Sequence, residues 1–345
     1  MALFADIEKR LGNFTLSVKL ETGDGVLALL GASGCGKSMT LKCIAGIETP
    51  DRGRIVLDGV TLYDSEKKID LPPQKRRVGY LFQQYALFPN MTVQKNIAAG
   101  ARGRADAAEA VRAAIAAMHL EDCAQKRPHQ LSGGQQQRTA LARILVNEPR
   151  MLLLDEPFSA LDSHLRFAME QEVRGVIRKF GGTVLLVSHD RDEVFRLSDE
   201  IAVMYAGHVD VQGAREKIFR RPQTRNAAML TGCKNISRIE KRDETHARAL
   251  DWGLDVTFSA PIGDARYAGI RMHDVRAAKA GAGILCRVSS VVENPFSFTV
   301  FLEPPGGAAV PLGWEMEKKV WNAIAADEIA VALPPEHVLA LRDEI

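Results

Sequence analysis

Gly31–Ser38 reads GASGCGKS, and this stretch decides how the chain around it is understood. It fits the pattern G-x-x-x-x-G-K-[ST], in which backbone N–H groups wrap phosphate oxygens, a lysine neutralises their charge and a hydroxyl ligates Mg²⁺. Lys37 and Ser38 take the last two roles. Gly31, Ala32, Ser33, Gly34, Cys35 and Gly36 form the cradle, with Met39 just beyond it. The flanks agree with the pattern. Val26–Leu30 is an apolar run with strand character that leads straight into the loop, and Lys37–Ala45 has helical spacing. Phosphate would therefore meet a helix N-terminus, where the helix dipole favours an anion. Alone, the segment predicts a bound nucleotide and nothing about its use.

Working outward, three more apolar runs follow at Met151–Leu154, Thr183–Val187 and Ile201–Tyr205. The first two end in the polar clusters DEP and SHD, which is where open parallel sheets present ligand-binding groups. Helical patterns alternate with these runs, as in an α/β domain. Between about Ala105 and Leu120, AAEAVRAAIAAMHL reads as an amphipathic helix of a helical insert whose stripe is explained by packing. The composition changes after Arg221-Pro222. Alternation in Phe298–Leu302, with turns at Pro304-Pro305-Gly306-Gly307 and Pro334-Pro335, suggests a small β domain. Two domains are expected, 1–232 and 233–345.

Composition narrows the possible roles. With 45 basic against 43 acidic residues and a formal charge of +2, the chain lacks the basic excess of a nucleic-acid binder, so no nucleic-acid partner is expected. The five cysteines, Cys35, Cys43, Cys123, Cys233 and Cys286, form no C-x-x-C pair and suit free thiols in a reducing compartment. No stretch approaches the ~18 apolar residues of a membrane helix, and the start MALFADIEKR does not read as an export signal. A cytosolic chain is expected, with any membrane work left to partners.

A second motif gives the phosphate loop a context. Leu131–Arg138 reads LSGGQQQR, and together the two segments resemble the ATP-binding-cassette family from near the start of the chain to about Leu230. The resemblance implies a P-loop ATPase domain with a helical insert, followed by a small oligonucleotide-binding-like β-barrel. It implies ATP and Mg²⁺ as cofactors. Ser132, Gly133, Gly134 and Gln135 would start a helix that grips the ATP of a second copy in a head-to-tail homodimer. Asp155 would reach Mg²⁺ together with Ser38 and Gln83. Glu156 would be the general base for the attacking water, and Gln83 and His189 would touch that water and the γ-phosphate. A DE pair is otherwise a solvated turn and a lone histidine a structural one; the apolar strands preceding both favour the functional reading. Ser159, Ala160, Leu161 and Asp162 match the loop that communicates across the paired cassettes, although Asp162 also suits a helix cap.

Other segments resemble the importer branch. The run from Gln83 through YALFPNMTVQKNIA is similar to a groove that receives a helix of a membrane subunit, which implies two integral membrane permease subunits and, indirectly, an extracytoplasmic substrate-binding protein. The chain would then lie peripherally on the cytoplasmic face of the membrane. KKIDLPPQKRRVGYLFQ, GRIVLDG and KRLGNFTLSV resemble molybdate importers, with sulfate, iron or sugar import as alternatives and a soluble non-transport ATPase as a rival from another class. The basic run Lys75-Arg76-Arg77 reads as a solvated face. The family's adenine-stacking aromatic is missing near Leu11, where Phe14 or an aliphatic contact would have to substitute.

Overall fold

The computed structural model describes residues 2–159, 163–278, 283–305 and 309–344. The chain divides into two compact units, Met1–Arg215 and Glu216–Ile345. The division falls ahead of the expected residue 232 because helix Arg225–Leu230 packs with the second unit, where Ala228 joins Cys233 and Leu341 in a small apolar cluster.

The first unit holds two sheets. One is antiparallel and pairs Leu3–Leu11 with Phe14–Thr22 on one side and Arg52–Leu57 on the other. The second has six strands, in the order His208–Ala214, Glu200–Tyr205, Gly25–Gly31, Thr183–Ser188, Met151–Asp155 and Val78–Leu81. All its pairings are parallel except the one at the His208–Ala214 edge. The inner strands are buried along their length, as expected where both faces of a parallel sheet are covered. Leu27, Leu29, Leu153 and Leu185 of this sheet share a core with Leu3, Ile7, Leu16 and Val18 of the other and with Leu41 and Ile44 of helix Lys37–Ala45. Burying each such side chain is worth roughly 1.5–3 kcal/mol. Register sets the site: Leu30 pairs with Ser188, Asp155 with Val187, and Leu81 with Leu154, so four strands end at one edge of the sheet.

Helices Val93–Gly100, Ala107–Ala117 and Gly133–Leu145 pack together as the expected insert. The alanine-rich helix is shorter than its pattern suggested and buries only Val111 and Ile115. Gly100 is required where the first helix meets the third, since an added Cβ would lie 2.0 Å from the Arg143 carbonyl oxygen.

The second unit contains two five-stranded antiparallel sheets, one centred on Asn235–Lys241 and the other on Ile284–Glu293. Trp252, Leu254, Ile270, Val300, Leu312 and Trp314 form their common core. The strand expected at Phe298–Leu302 runs Ser297–Glu303.

Candidate functional site

The phosphate loop leaves strand Gly25–Gly31 and enters helix Lys37–Ala45. Gly36 is its N-cap with φ 104°, a left-handed conformation natural only to glycine. A Cβ there would also fall 2.4 Å from Leu16 Cδ1 and 3.4 Å from Phe14 Cζ, so the loop lies directly on the hairpin that carries Phe14. The Lys37 ammonium is buried and donates to the carbonyls of Gly31 at 2.8 Å and Ala32 at 2.9 Å. A buried charge needs such partners, and here they hold the cation over the cradle.

Helix Lys37–Ala45 also places Ser38 against the end of strand Met151–Asp155. Ser38 Oγ donates to Asp155 Oδ1 at 2.7 Å, and the Tyr80 hydroxyl donates to Asp155 Oδ2 at 2.8 Å. Burial, then the charge and hydrogen bond of Asp155, raise the pKa of the Tyr80 phenol, which therefore stays a donor. Tyr80 was not expected; it is legible only as an aromatic on the short strand Val78–Leu81 beside Asp155. A hydroxyl and a carboxylate this close are hard oxygen donors of the kind Mg²⁺ uses with substrate phosphates. Among the described residues no cluster of three or more His, Cys, Asp or Glu could hold a metal.

One residue further along, Glu156 gathers the next group. Its carboxylate accepts from Gln83 Nε2 at 3.1 Å and faces His189 Nδ1 at 3.3 Å. Its backbone has φ 46°, a conformation that costs a non-glycine residue about 1–3 kcal/mol. The turn is fixed by the Glu156 N–H donating to the Val187 carbonyl at 3.0 Å and by the Ser159 hydroxyl donating to the Glu156 carbonyl at 3.0 Å. Strained backbone at a carboxylate between an amide and an imidazole marks a functional position. Behind His189, the Ser188 hydroxyl donates to the buried Glu193 at 2.7 Å and accepts from the Asp190 N–H at 2.9 Å, which fixes the loop.

Asp155, Glu156, Gln83 and His189 thus stand at or just beyond strand ends on a single sheet edge, with Lys37 and Ser38 at the start of the helix that follows the phosphate loop. The LSGGQQQR segment belongs to a different element. Ser132 caps helix Gly133–Leu145 by accepting from the Gln135 N–H at 3.3 Å, while Gln135 Oε1 accepts from the Ser132 N–H at 3.0 Å, a reciprocal capping box. The N–H groups of Gly133 and Gly134 fall in the first turn, which has no intrahelical acceptors. Gly134 lets Met169 of helix Ser163–Phe180 approach, since a Cβ would lie 2.9 Å from its sulfur.

One expectation needs correction. Arg76 is not on a solvated face: it is 1% exposed and donates to the carbonyls of Leu71, Cys43 and Ile44 and to Asp70 Oδ1. The Cys43 and Ile44 carbonyls end the phosphate-loop helix, so this guanidinium caps that helix from the outside. Phe14 is partly buried against the core and Gly36, whereas Leu11 at the hairpin tip is exposed. Ala160, Leu161 and Asp162 lie outside the described residues.

The pattern of the ABC transporter family matches residues 14–159. The spermidine/putrescine import ATP-binding protein PotA of Frankia alni is 38% identical over 344 residues, covering 92% of this chain and 73% of that protein. PotA of Escherichia coli K12 is 41% identical over 272 residues, covering 76% and 70%. Among solved structures, the ATP-binding cassette MJ0796 in a dimeric post-hydrolysis state bound to ADP and Pi shares 28% identity with TM-score 0.52, spanning 62% of this chain and 98% of that one. Another dimeric MJ0796 structure gives 29% and 0.53. These relatives give no support to the molybdate assignment drawn from the sequence. A chain with such relatives and both ATP motifs hydrolyses ATP, and it belongs to the ATP-binding subunits of ABC transporters, of importer type.

Proposed function

We propose that this ATPase drives a polyamine importer as a head-to-tail homodimer beneath two integral membrane permease subunits, on the cytoplasmic face of the membrane, with cargo delivered by an extracytoplasmic binding protein. The cargo class rests on the PotA relatives and the dimer on the MJ0796 cassettes. Residues 1–232 would form the nucleotide-binding domain and 233–345 an accessory β domain.

The observation that carries the mechanism is the meeting of Gln83 and His189 on Glu156, one residue from Asp155. Glu156 takes the proton of the attacking water; Gln83 and His189 hold its carboxylate and face the γ-phosphate. The cradle from Gly31 to Met39 and the Lys37 ammonium bind the phosphates. Ser38, Asp155 and Gln83 would hold Mg²⁺, which neutralises charge on the transferred phosphate when bound. Ser132, Gly133, Gly134 and Gln135 close over the partner's ATP. ATP then favours the closed dimer by its differential affinity for it, the condition for any ligand to drive a conformational change. The exposed Phe88 and Met91 beyond Gln83 supply apolar contact for a permease helix.

The test is uptake of labelled spermidine, putrescine and molybdate in cells lacking the chain, complemented with wild type or Glu156→Gln. Polyamine uptake should vanish and return only with wild type. Loss of molybdate uptake with polyamine uptake intact would overturn the cargo and leave the ATPase untouched.

A further inference from the structure

The loop that follows Gln83 is held in an unfavourable conformation from a distance. Tyr85 and Ala86 both have left-handed backbones, with φ 59° and 46°. Each such residue costs about 1–3 kcal/mol unless its surroundings impose it. Tyr85 is 3% exposed and its hydroxyl has no hydrogen-bond partner among the described residues, a further penalty. What imposes the conformation is Arg143, in the last turn of helix Gly133–Leu145. Its guanidinium donates to the Ala86 carbonyl at 2.8 Å and to the Tyr85 carbonyl at 3.0 Å, and lies over the Phe88 ring, 5.3 Å from the centroid. Asn96 secures the far side of the loop, accepting from the Phe88 N–H and donating to the carbonyls of Phe88, Met91 and Thr92. Arg143 is itself firmly based, because Gly100 brings the neighbouring helix onto its carbonyl.

We infer that Arg143 is a positioning residue that couples the Ser132 end of its helix to Gln83, so that the two ATP sites of a dimer act together. Arg143 stands eleven positions along the helix from Ser132, roughly 16 Å, and the clasped Tyr85 is two positions from Gln83, which bonds Glu156. A shift of the helix on meeting the partner's ATP pulls on both carbonyls. The loop, already carrying strain and an unpartnered hydroxyl, has a second conformation within reach and moves Gln83 with it. A strained element biased by two sites is the physical basis of coupling. This deepens the proposed head-to-tail reading and rests on it.

Arg143→Lys keeps the charge but not the fork that spans two carbonyls. Steady-state hydrolysis across ATP concentrations should show a Hill coefficient above 1 for wild type and near 1 for the variant, with kcat about 2- to 30-fold lower. Combined with Gln83→Ala, Arg143→Lys should cost nothing further, because both act through one residue. Ala86→Gly, which relieves the strain, should lower the Hill coefficient without lowering Tm, an effect a purely structural clip would not produce. Additive losses in the double variant, or an unchanged Hill coefficient in both Arg143→Lys and Ala86→Gly, would overturn the coupling. Sedimentation of Glu156→Gln with ATP separates the two levels: no dimer removes the head-to-tail reading and the coupling with it, whereas a dimer alongside unchanged cooperativity in the variants removes the coupling alone.

Discussion

The sheet edge around Asp155 and the helix start at Ser132 are both built to meet phosphate, yet they are finished to different degrees. At the sheet edge every principal group already has a partner within the chain: Lys37 on two loop carbonyls, Ser38 and Tyr80 on Asp155, Gln83 and His189 on Glu156. At the helix start Ser132 and Gln135 bond one another, and the N–H groups of Gly133 and Gly134 have no acceptor within the helix. The first region is assembled by the fold of one copy, while the second, in the proposed dimer, would be completed by another. Chemistry and closure are therefore separable by mutation.

The largest effect that would break this separation is at Glu156. Glu156→Gln should lower ATP turnover by about 10²–10⁴-fold, the usual contribution of a positioned general base, while nucleotide binding, measured by fluorescence titration, stays near wild type. A variant that turns over normally would mean the trio is ornamental. Next comes Ser132→Arg, which should leave nucleotide binding by the monomer intact and abolish the ATP-dependent dimer formed by Glu156→Gln protein. Persistence of the dimer in sedimentation would show that the helix start is not the closing surface. The smallest effect belongs to the support beneath the first region. Arg76→Leu removes the donor to Leu71, Cys43 and Ile44, of which the Cys43 carbonyl keeps the Gly46 N–H, and should cost about 1–3 kcal/mol in all, seen as a lower midpoint in urea. An unchanged midpoint would show that the phosphate-loop helix needs no external cap.

Sequence and structure agree best where punctuation is local. The helix read from its spacing over Lys37–Ala45 runs over those residues, and the glycines at its two ends, Gly36 and Gly46, are each left-handed in the fold. The convergence of Asp155, Glu156 and His189 followed from apolar strands ending in polar clusters, a rule of parallel sheets, whereas Gln83 was placed with them by the family resemblance alone. Arg76 was misjudged for a physical reason. Nothing in the run Lys75-Arg76-Arg77 distinguishes its middle member; the carbonyls that bury it belong to a helix about thirty residues upstream, and only tertiary structure brings them there. Tyr80 and Arg143 escaped notice likewise, since each acts on a segment distant in sequence. Cargo was the least legible property, because none of the proposed ATP-site residues would touch it.

The contact of Gly36 with Phe14 and Leu16 links two choices that a protein engineer would treat as independent. Enlarging Phe14, for instance, presses on the residue at which the phosphate cradle turns into its helix. Hairpin tip and phosphate cradle thus form one packed unit in this chain, and a substitution that enlarges one calls for a compensating change in the other.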